Sequence, residues 1–178
     1  MASTTPTHEI RIFGDPVLKT KTPDVTDIDG KLVRLAEEMV QVMYEAPGIG
    51  LAAPQVGLSL RLMVVGDEEG RGAQVLVNPA ITDQGGTVTA EEGCLSLPGI
   101  FAQVTRSEWV VLEAHDLHGR PVSMTARGLR GRVFQHEMDH LDGVLFIDRL
   151  EPVARDRIKR RIKKEGFSED AGHRAFAL

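Results

Sequence analysis

The sequence predicts an α+β fold, in which mostly antiparallel strands pack around a central H-E-x-x-H helix, with further helices towards the N-terminus and the C-terminus. Two observations predict it. Short runs of β-branched and apolar residues cluster between Leu60 and Gly128, and apolar residues at helical spacing lie on both sides of that region. Strands grouped in the middle of a chain favour an antiparallel sheet over a parallel, doubly wound one.

Three helices are expected. The first runs from about Asp29 to Tyr44, where apolar residues recur at helical spacing until Pro47-Gly48 ends the pattern. The second runs from about Leu129 to Leu141 and stops at Gly143. The third covers Glu151 to Lys164.

The strands between the first two helices are short and separated by Gly, Asp and Asn. Examples are Leu62–Val65, Val75–Val77 and Trp109–Leu112. Two runs, from Trp109 to Ala114 and from Pro121 to Ala126, flank a Gly-containing turn and predict a β-hairpin.

Composition places the chain among soluble globular proteins. It has 178 residues, 42% of them hydrophobic and 26% charged, and no apolar run approaches the roughly 20 residues that span a bilayer. The N-terminus has no signal-peptide pattern, and Cys94 is the only cysteine, so we expect a cytoplasmic protein without a disulfide or a membrane partner. A net charge of −5 gives no electrostatic case for binding DNA.

The sequence His136-Glu137-Met138-Asp139-His140 places two imidazoles one helical turn apart on the same face. This geometry can bind a metal, and the Glu can take a proton from a water molecule at that metal. The motif alone is equally compatible with ordinary histidines and a solvated carboxylate. A catalytic metal usually has a third protein ligand, and Phe146 stands where a metzincin has its third His. Glu165, as in thermolysin-like enzymes, and Cys94 both remain candidates.

Two further segments have compositions typical of ligand sites. Cys94 lies between Gly93 and a turn bounded by Pro98, which suits a backbone that bends to present a ligand. The segment from Gly48 to Gly57 consists mainly of small residues and carries Gln55, so its backbone could approach a ligand closely. Taken alone, the second segment could be a simple connection between a helix and a strand.

Together the three segments resemble the peptide deformylase family. Its motif G-x-G-x-A-A-P-Q is matched by Gly48–Gln55, E-G-C-L-S by Glu92–Ser96, and Q-H-E-x-D-H by Gln135–His140, in order and without a mismatch. The resemblance covers the chain from about Ile10 to Leu150. It predicts a single catalytic metallohydrolase domain over residues 1–150, followed by a basic C-terminal helix and tail over 151–178.

The resemblance implies a metal-dependent hydrolase that removes the formyl group from the N-terminal formylmethionine of nascent polypeptides and releases formate. Cys94, His136 and His140 would ligate one divalent metal, most often Fe²⁺ in the family, with Zn²⁺, Ni²⁺ or Co²⁺ as possible substitutes. Glu137 would be the general base. The side-chain amide of Gln55 and the backbone N–H of Leu95 would stabilise the oxyanion.

Substrate recognition is expected to use a pocket for the methionine side chain, walled by Ile49, Leu129 and Val133. The backbone of Gly50 would pair with the substrate main chain as a strand does. Glu92 is expected to form an ion pair with Arg106 that holds Cys94 in place.

The stretch from Arg155 to Lys164 is strongly basic in a chain that is acidic overall. Because some family members dock on the ribosome through a basic C-terminal helix, contact with ribosomal RNA is one hypothesis and a solvated helix is the other. Two alternatives to a deformylase also remain: a broader H-E-x-x-H metallopeptidase that uses Glu165, and a catalytically silent metal-binding protein.

Overall fold

The computed structural model of the chain describes residues 8–67, 69 and 72–167. Its three α-helices in this range are α1 (Gly30–Glu45), α2 (Gly128–Leu141) and α3 (Pro152–Glu165). Its strands are β1 (Gly50–Ala52), β2 (Leu62–Gly66), β3 (Ala73–Gly85), β4 (Val88–Cys94), β5 (Leu97–Arg106), β6 (Trp109–His115) and β7 (Pro121–Arg127). Short 3₁₀ helices cover Pro16–Lys19, Ala53–Val56 and Phe146–Arg149. The predicted α+β class is confirmed.

The strands form two antiparallel sheets. The larger sheet has the order β1-β2-β3-β6-β7, and the smaller one consists of β4 and β5. The predicted hairpin is present as β6 and β7, which pair from Trp109 opposite Arg127 to His115 opposite Pro121. Short strand β1 lies at an edge of the larger sheet and, within the described part of the chain, pairs with β2 alone.

Helix α2 packs across the larger sheet and is buried along almost its whole length. Val133, Phe134, Met138 and Leu141 join side chains of β1, β2, β3, β6 and β7 in one hydrophobic cluster. Helix α1 packs on another cluster, which contains β2 residues Leu62 and Val64. The first of these clusters therefore fixes the position of α2, and with it the H-E-x-x-H motif.

Local sequence explains where the helices begin and end. Asp29 caps α1 by accepting hydrogen bonds from the backbone N–H groups of Lys31 and Leu32. Helix α2 ends at Leu141, and Gly143 follows with a φ of +73°, which glycine adopts more easily than other residues.

One prediction needs refinement. The segment Gly48–Gly57 is more than a connection, because it contains strand β1 and the 3₁₀ helix Ala53–Val56. Its small residues had suggested close backbone approach, but strand formation depends on the partner β2, which comes later in the chain.

Helix α3 packs on the body of the protein. Its Ile158 and Ile162 contact the cluster that contains Leu18, Cys94 and Phe146. The tail over residues 168–178 lies outside the described residues. None of the described helices is both long and apolar enough to cross a membrane.

Candidate metal centre and active site

Cys94, His136 and His140 come together from two elements. Helix α2 presents both histidines on one face, and β4 ends at the cysteine. One potential ligand atom from each residue lies within 4.8 Å of the others, and all three residues are buried. The Cys94 Sγ is 3.3 Å from His140 Nε2. Tetrahedral ligands at bond lengths of about 2.3 Å for sulfur and 2.0 Å for nitrogen are about 3.5 Å apart, so this spacing suits a shared metal ion.

Unpartnered polar atoms at the same place support this fit. His136 Nε2 and both carboxylate oxygens of Glu137 are buried without a hydrogen-bond partner among the described residues; His140 Nδ1 is also unpartnered there, but the His140 nitrogen that faces Cys94 Sγ is Nε2. Such groups are rare in native proteins because each one loses its hydration without compensation. One thiol and two imidazoles form a donor set that accepts iron, zinc, cobalt or nickel, so these residues could hold a metal ion.

Burial determines the protonation of the cluster in the metal-free protein. It raises the pKa of the Cys94 thiol well above its ordinary value. It also lowers the pKa of His140, and the charge of His136 lowers it further. Both groups are therefore neutral near pH 7. A bound cation would reverse this preference for the thiol, because a coordinated thiol loses its proton.

Glu137 lies against the backbone of Gly50. A Cβ atom built on Gly50 would come within 2.6 Å of Glu137 Oε1 and 2.9 Å of Val133 Cγ1. Only a glycine leaves room for the carboxylate here. Burial raises the pKa of Glu137 well above its ordinary value, the charge of Arg106 opposes this, and the charge of Glu92 adds to it.

Gln55 is completely buried on the 3₁₀ helix after β1. Its Oε1 accepts a hydrogen bond of 2.9 Å from the backbone N–H of Ala52, which turns its NH₂ group towards the cluster. That group is 3.8 Å from Cys94 Sγ and 3.3 Å from Ser96 Oγ. Leu95 lies in the turn between β4 and β5, and its side chain covers Gly48, where a Cβ would approach Leu95 Cδ1 to 2.7 Å.

A buried ion-pair network contacts His136 at Nδ1, the ring nitrogen opposite Nε2. Glu92 is fully buried and accepts hydrogen bonds from Arg106, Arg132 and His136 Nδ1. Burial alone would raise the pKa of Glu92, but the hydrogen bonds from His136 and Arg106 outweigh it and lower the pKa to about 2. The predicted pair of Glu92 and Arg106 is present. The Nδ1 contact directs the opposite ring nitrogen, Nε2, towards the cluster.

A cavity of about 240 Å³ is partly lined by Val133, which lies one helical turn before Glu137 on α2. Its lining includes all three residues predicted to form the methionine pocket, Ile49, Leu129 and Val133. Leu129 is 43% exposed and forms part of the rim, while Val133 is buried. The structure thus places the three side chains around one cavity.

Comparison with known proteins identifies the family. The profile of the polypeptide deformylase family matches residues 7–156. A peptide deformylase of Syntrophobacter fumaroxidans is 47% identical over 160 residues, which are 88% of this chain and 94% of the relative. The chain belongs to the peptide deformylase family.

Solved deformylase structures share the fold. The peptide deformylase from Synechococcus elongatus, solved in complex with actinonin, has a TM-score of 0.85 and 41% identity, with 96% of this chain and 94% of that one covered. The enzyme from Thermus thermophilus has a TM-score of 0.83 and 46% identity, with coverages of 89% and 94%. The deformylase activity predicted from the three motifs is therefore confirmed.

Within this deformylase, Glu165 takes no part in the metal cluster. It lies at the end of α3 with a 61% exposed side chain and pairs with Arg161 at 3.8 Å. The candidate cluster in the described part of the chain contains Cys94 as the third residue instead. The interpretation that used Glu165 as a ligand was wrong, because helical spacing alone does not show where a later helix packs.

Sequence reasoning missed several residues that build the site. Ser96 bridges Gln55 and Cys94, since its Oγ lies near the amide and its N–H donates to Sγ at 3.4 Å. Arg132 donates to Glu92 from within α2. Asp139, inside the third motif, accepts from Arg106. The available signal for Ser96 and Asp139 was their position inside the matched motifs.

Proposed function

We propose that the chain removes the formyl group from N-terminal formylmethionine with Cys94, His136 and His140 as ligands of one divalent metal and Glu137 as the general base. One observation carries the proposal: the Glu137 carboxylate is buried and unpartnered, among the described residues, beside a cluster of one sulfur and two ring nitrogens. A buried carboxylate without a partner is costly, and general-base function gives it a reason to be retained.

The metal, when bound, supplies Lewis acidity that polarises the formyl carbonyl and acidifies a water molecule. Glu137 takes the proton of the attacking water at a carboxylate oxygen and later delivers it to the departing amine. Burial raises the pKa of Glu137 in the metal-free protein, and a bound cation would lower it again, which suits a group that must both gain and lose a proton near neutral pH.

Gln55 and Leu95 would stabilise the negative charge that develops on the formyl oxygen. The Gln55 NH₂ group is already oriented by its bond to Ala52, so little reorganisation is needed when charge appears. Because Gln55 is buried, water would not compete for a hydrogen bond from its NH₂ group to the formyl oxygen, which makes that bond stronger. The Leu95 N–H belongs to the turn that follows the proposed ligand Cys94.

The methionine side chain would occupy the cavity lined by Ile49, Leu129 and Val133. Strand β1 is available at the sheet edge, and Gly50 lies on it beside Glu137. A substrate backbone that pairs with this edge would bring its formyl group to the carboxylate. Because such pairing uses backbone atoms, selectivity would end largely at the first side chain.

Fe²⁺ is the proposed physiological metal, with Zn²⁺, Ni²⁺ or Co²⁺ able to replace it. A mixed donor set of one sulfur and two nitrogens, as Cys94, His136 and His140 would provide, can bind all four ions. A thiolate beside Fe²⁺ is readily oxidised, so activity of the iron form would decline in air and that of the nickel form would not.

Formate release tests the proposal directly. Iron-loaded protein, prepared without air, is expected to release formate from a formylmethionyl tripeptide and no acetate from its acetylated counterpart. Glu137→Gln should lower kcat by about 10²-fold to 10⁴-fold and retain one metal ion, because the amide cannot accept the proton. Metal loss in this variant would instead assign Glu137 a structural role, and metal binding without any formate release would favour a catalytically silent protein.

We also propose that the basic face of α3 contacts ribosomal RNA, which would place the enzyme beside its nascent substrate in the cytoplasm. Arg157, Arg160, Arg161, Lys163 and Lys164 are exposed on this helix. Its apolar face packs on the domain through Ile158 and Ile162, so the cations remain outward. In this proposal residues 1–150 carry catalysis and 151–178 carry docking.

Charge reversal tests this contact without unfolding the helix. Arg160→Glu combined with Lys164→Glu should weaken co-sedimentation with ribosomes at low salt and reduce its salt dependence, because fewer phosphates are neutralised. The matched control reverses two cations on α1, Lys31→Glu with Arg34→Glu. Equal binding by both double variants would show that α3 has no specific role.

A further inference from the structure

We propose that Arg149, which lies outside the active site, is a positioning residue for the metal centre. It would act through Asp139, Arg106 and Glu92 on the imidazole of His136. The inference rests on the proposed ligand role of His136. It concerns a residue that neither lines the methionine cavity nor contacts Cys94, His136, Glu137 or His140 through any hydrogen bond found in the described part of the chain.

At the inner end of the network, each carboxylate oxygen of Glu92 accepts two hydrogen bonds. Glu92 Oε2 accepts from His136 Nδ1 and from Arg106 Nη2, each at 3.0 Å. Glu92 Oε1 accepts from Arg106 Nε and from Arg132 Nη1. The carboxylate cannot turn without breaking several charged hydrogen bonds, so its position determines the plane of the His136 ring.

Arg106 connects this carboxylate to a second one. Its Nε and Nη2 engage Glu92, and its Nη1 donates to Asp139 Oδ2 at 2.9 Å. The guanidinium is planar and rigid, so holding one edge of it fixes the direction of the other. Asp139 is 5% exposed and belongs to α2, next to His140.

Arg149 holds Asp139 from the outer side. Its Nη2 donates to Oδ1 at 2.5 Å and its Nε to Oδ2 at 3.1 Å, a two-pronged contact that fixes the carboxylate plane. The side chain of Arg149 is 50% exposed, whereas that of Asp139 is 7% exposed. The network therefore runs from the protein surface to a proposed metal ligand.

A second observation links the same segment to His136. Arg149 ends the 3₁₀ helix Phe146–Arg149, and the ring of Phe146 stacks on the His136 imidazole with centroids 6.1 Å apart and planes at 27°. This short helix thus reaches the ring from its face, through Phe146, and from its edge, through the ion pairs.

The surroundings of Arg149 allow its side chain to be shortened. Together with Arg106 and Asp139 it lines a cavity of about 550 Å³ whose lining is mostly polar. Water can enter such a cavity, so Arg149→Ala leaves no dry void. Asp139 would keep its contact with Arg106 but lose the contact that fixes its plane.

The test measures metal retention and geometry. Cobalt-loaded Arg149→Ala should release its ion to a chelator about threefold to tenfold faster than the parent protein, a smaller effect than the roughly 10-fold to 100-fold typical of direct partners of a ligand. Its visible d–d spectrum should shift. Arg149→Lys keeps the charge but not the two-pronged contact, so its rate of cobalt release should lie between those of the parent protein and Arg149→Ala. Arg120→Ala, which removes an exposed pair with Asp116 on the hairpin, is the matched control.

A double variant separates positioning from general stability. If Arg149 acts through Asp139, adding Arg149→Ala to Asp139→Asn should change the release rate little, whereas additive effects would overturn the inference. An unchanged release rate and spectrum in Arg149→Ala, with lower resistance of the metal-free protein to urea, would also overturn it. Failure of the parent protein to bind cobalt would refute the proposed metal centre itself and the inference with it.

Discussion

Gly50 is a residue whose identity the geometry of the site constrains directly. It faces Glu137 so closely that a Cβ atom would lie 2.6 Å from the carboxylate and 2.9 Å from Val133. Distances of this kind do not occur between unstrained atoms, so any other residue must displace the proposed base, the strand or the wall of the cavity.

Gly50→Ala should therefore damage catalysis more than folding. We expect kcat for formate release to fall by about 10²-fold, the usual consequence of misplacing a catalytic group by an ångström. Gly30→Ala is the matched control, since the only contact of a Cβ there with a described residue is Arg34 Nη1, at 3.6 Å. If both variants kept parental kcat, the close approach of Gly50 would have no part in placing Glu137.

Residue-level prediction from sequence worked where a motif encodes local chemistry. His136 and His140 could be paired by spacing alone, because a helix repeats after about four residues. Arg149 could not be found in this way, since its partner Asp139 lies on another element and the contact depends on how the chain turns after α2.

At the scale of elements, different faces of α2 contact three different parts of the protein. His136, Glu137 and His140 face the metal cluster, and Val133 faces the cavity. Gln135 faces the connection between β5 and β6, where its amide accepts from the backbone N–H of Ser107 and donates to the Ser107 carbonyl, both at 3.0 Å. The first residue of the third motif is therefore an anchor for the helix.

Removing this anchor should destabilise the protein. Gln135→Ala leaves both backbone groups of Ser107 without their partner, so the free energy of unfolding is expected to fall by about 1–3 kcal/mol. Urea denaturation of the metal-free protein measures the change. Gln41→Ala, in which an exposed glutamine on α1 is replaced, should change stability by less than about 0.5 kcal/mol. Equal losses in the two variants would exclude an anchoring role for Gln135.

The elements themselves were predictable to different degrees. Helices α1 and α2 and the hairpin of β6 and β7 follow from periodicity and capping residues within each segment. Strand β1 carries only Gly50, Leu51 and Ala52, a composition with no β preference, and it forms because β2 supplies its hydrogen bonds. The separation of β4 and β5 into a second sheet likewise depends on long-range packing.

At the scale of the whole molecule, the fold isolates a cluster of ionisable groups from water. Glu92, Glu137, His136 and His140 are each at most 1% exposed, and Arg106 is 6% exposed. The charges of Glu92 and Arg106 offset each other through direct hydrogen bonds, whereas Glu137 has no such partner among the described residues. The protein therefore retains one carboxyl group at a cost to its stability.

This cost predicts how stability depends on pH in the metal-free protein. Burial raises the pKa of Glu137 in the folded state, while the unfolded chain ionises near its ordinary value. Below about pH 4 the group is protonated in both states and contributes nothing. As the pH rises further, the unfolded state loses the proton first, so folding becomes less favourable by up to about 1.4 kcal/mol per pH unit.

Glu137→Gln removes this ionisation. In urea denaturation of the metal-free proteins, the variant should match the parent near pH 4 and become progressively more stable than the parent towards pH 8. A bound divalent cation stabilises the carboxylate form of Glu137. Metal loading should therefore reduce the difference in the free energy of unfolding between variant and parent at pH 8. A gap independent of pH would mean that Glu137 ionises normally in the folded protein, and its suitability as a base would then have to come from the metal alone.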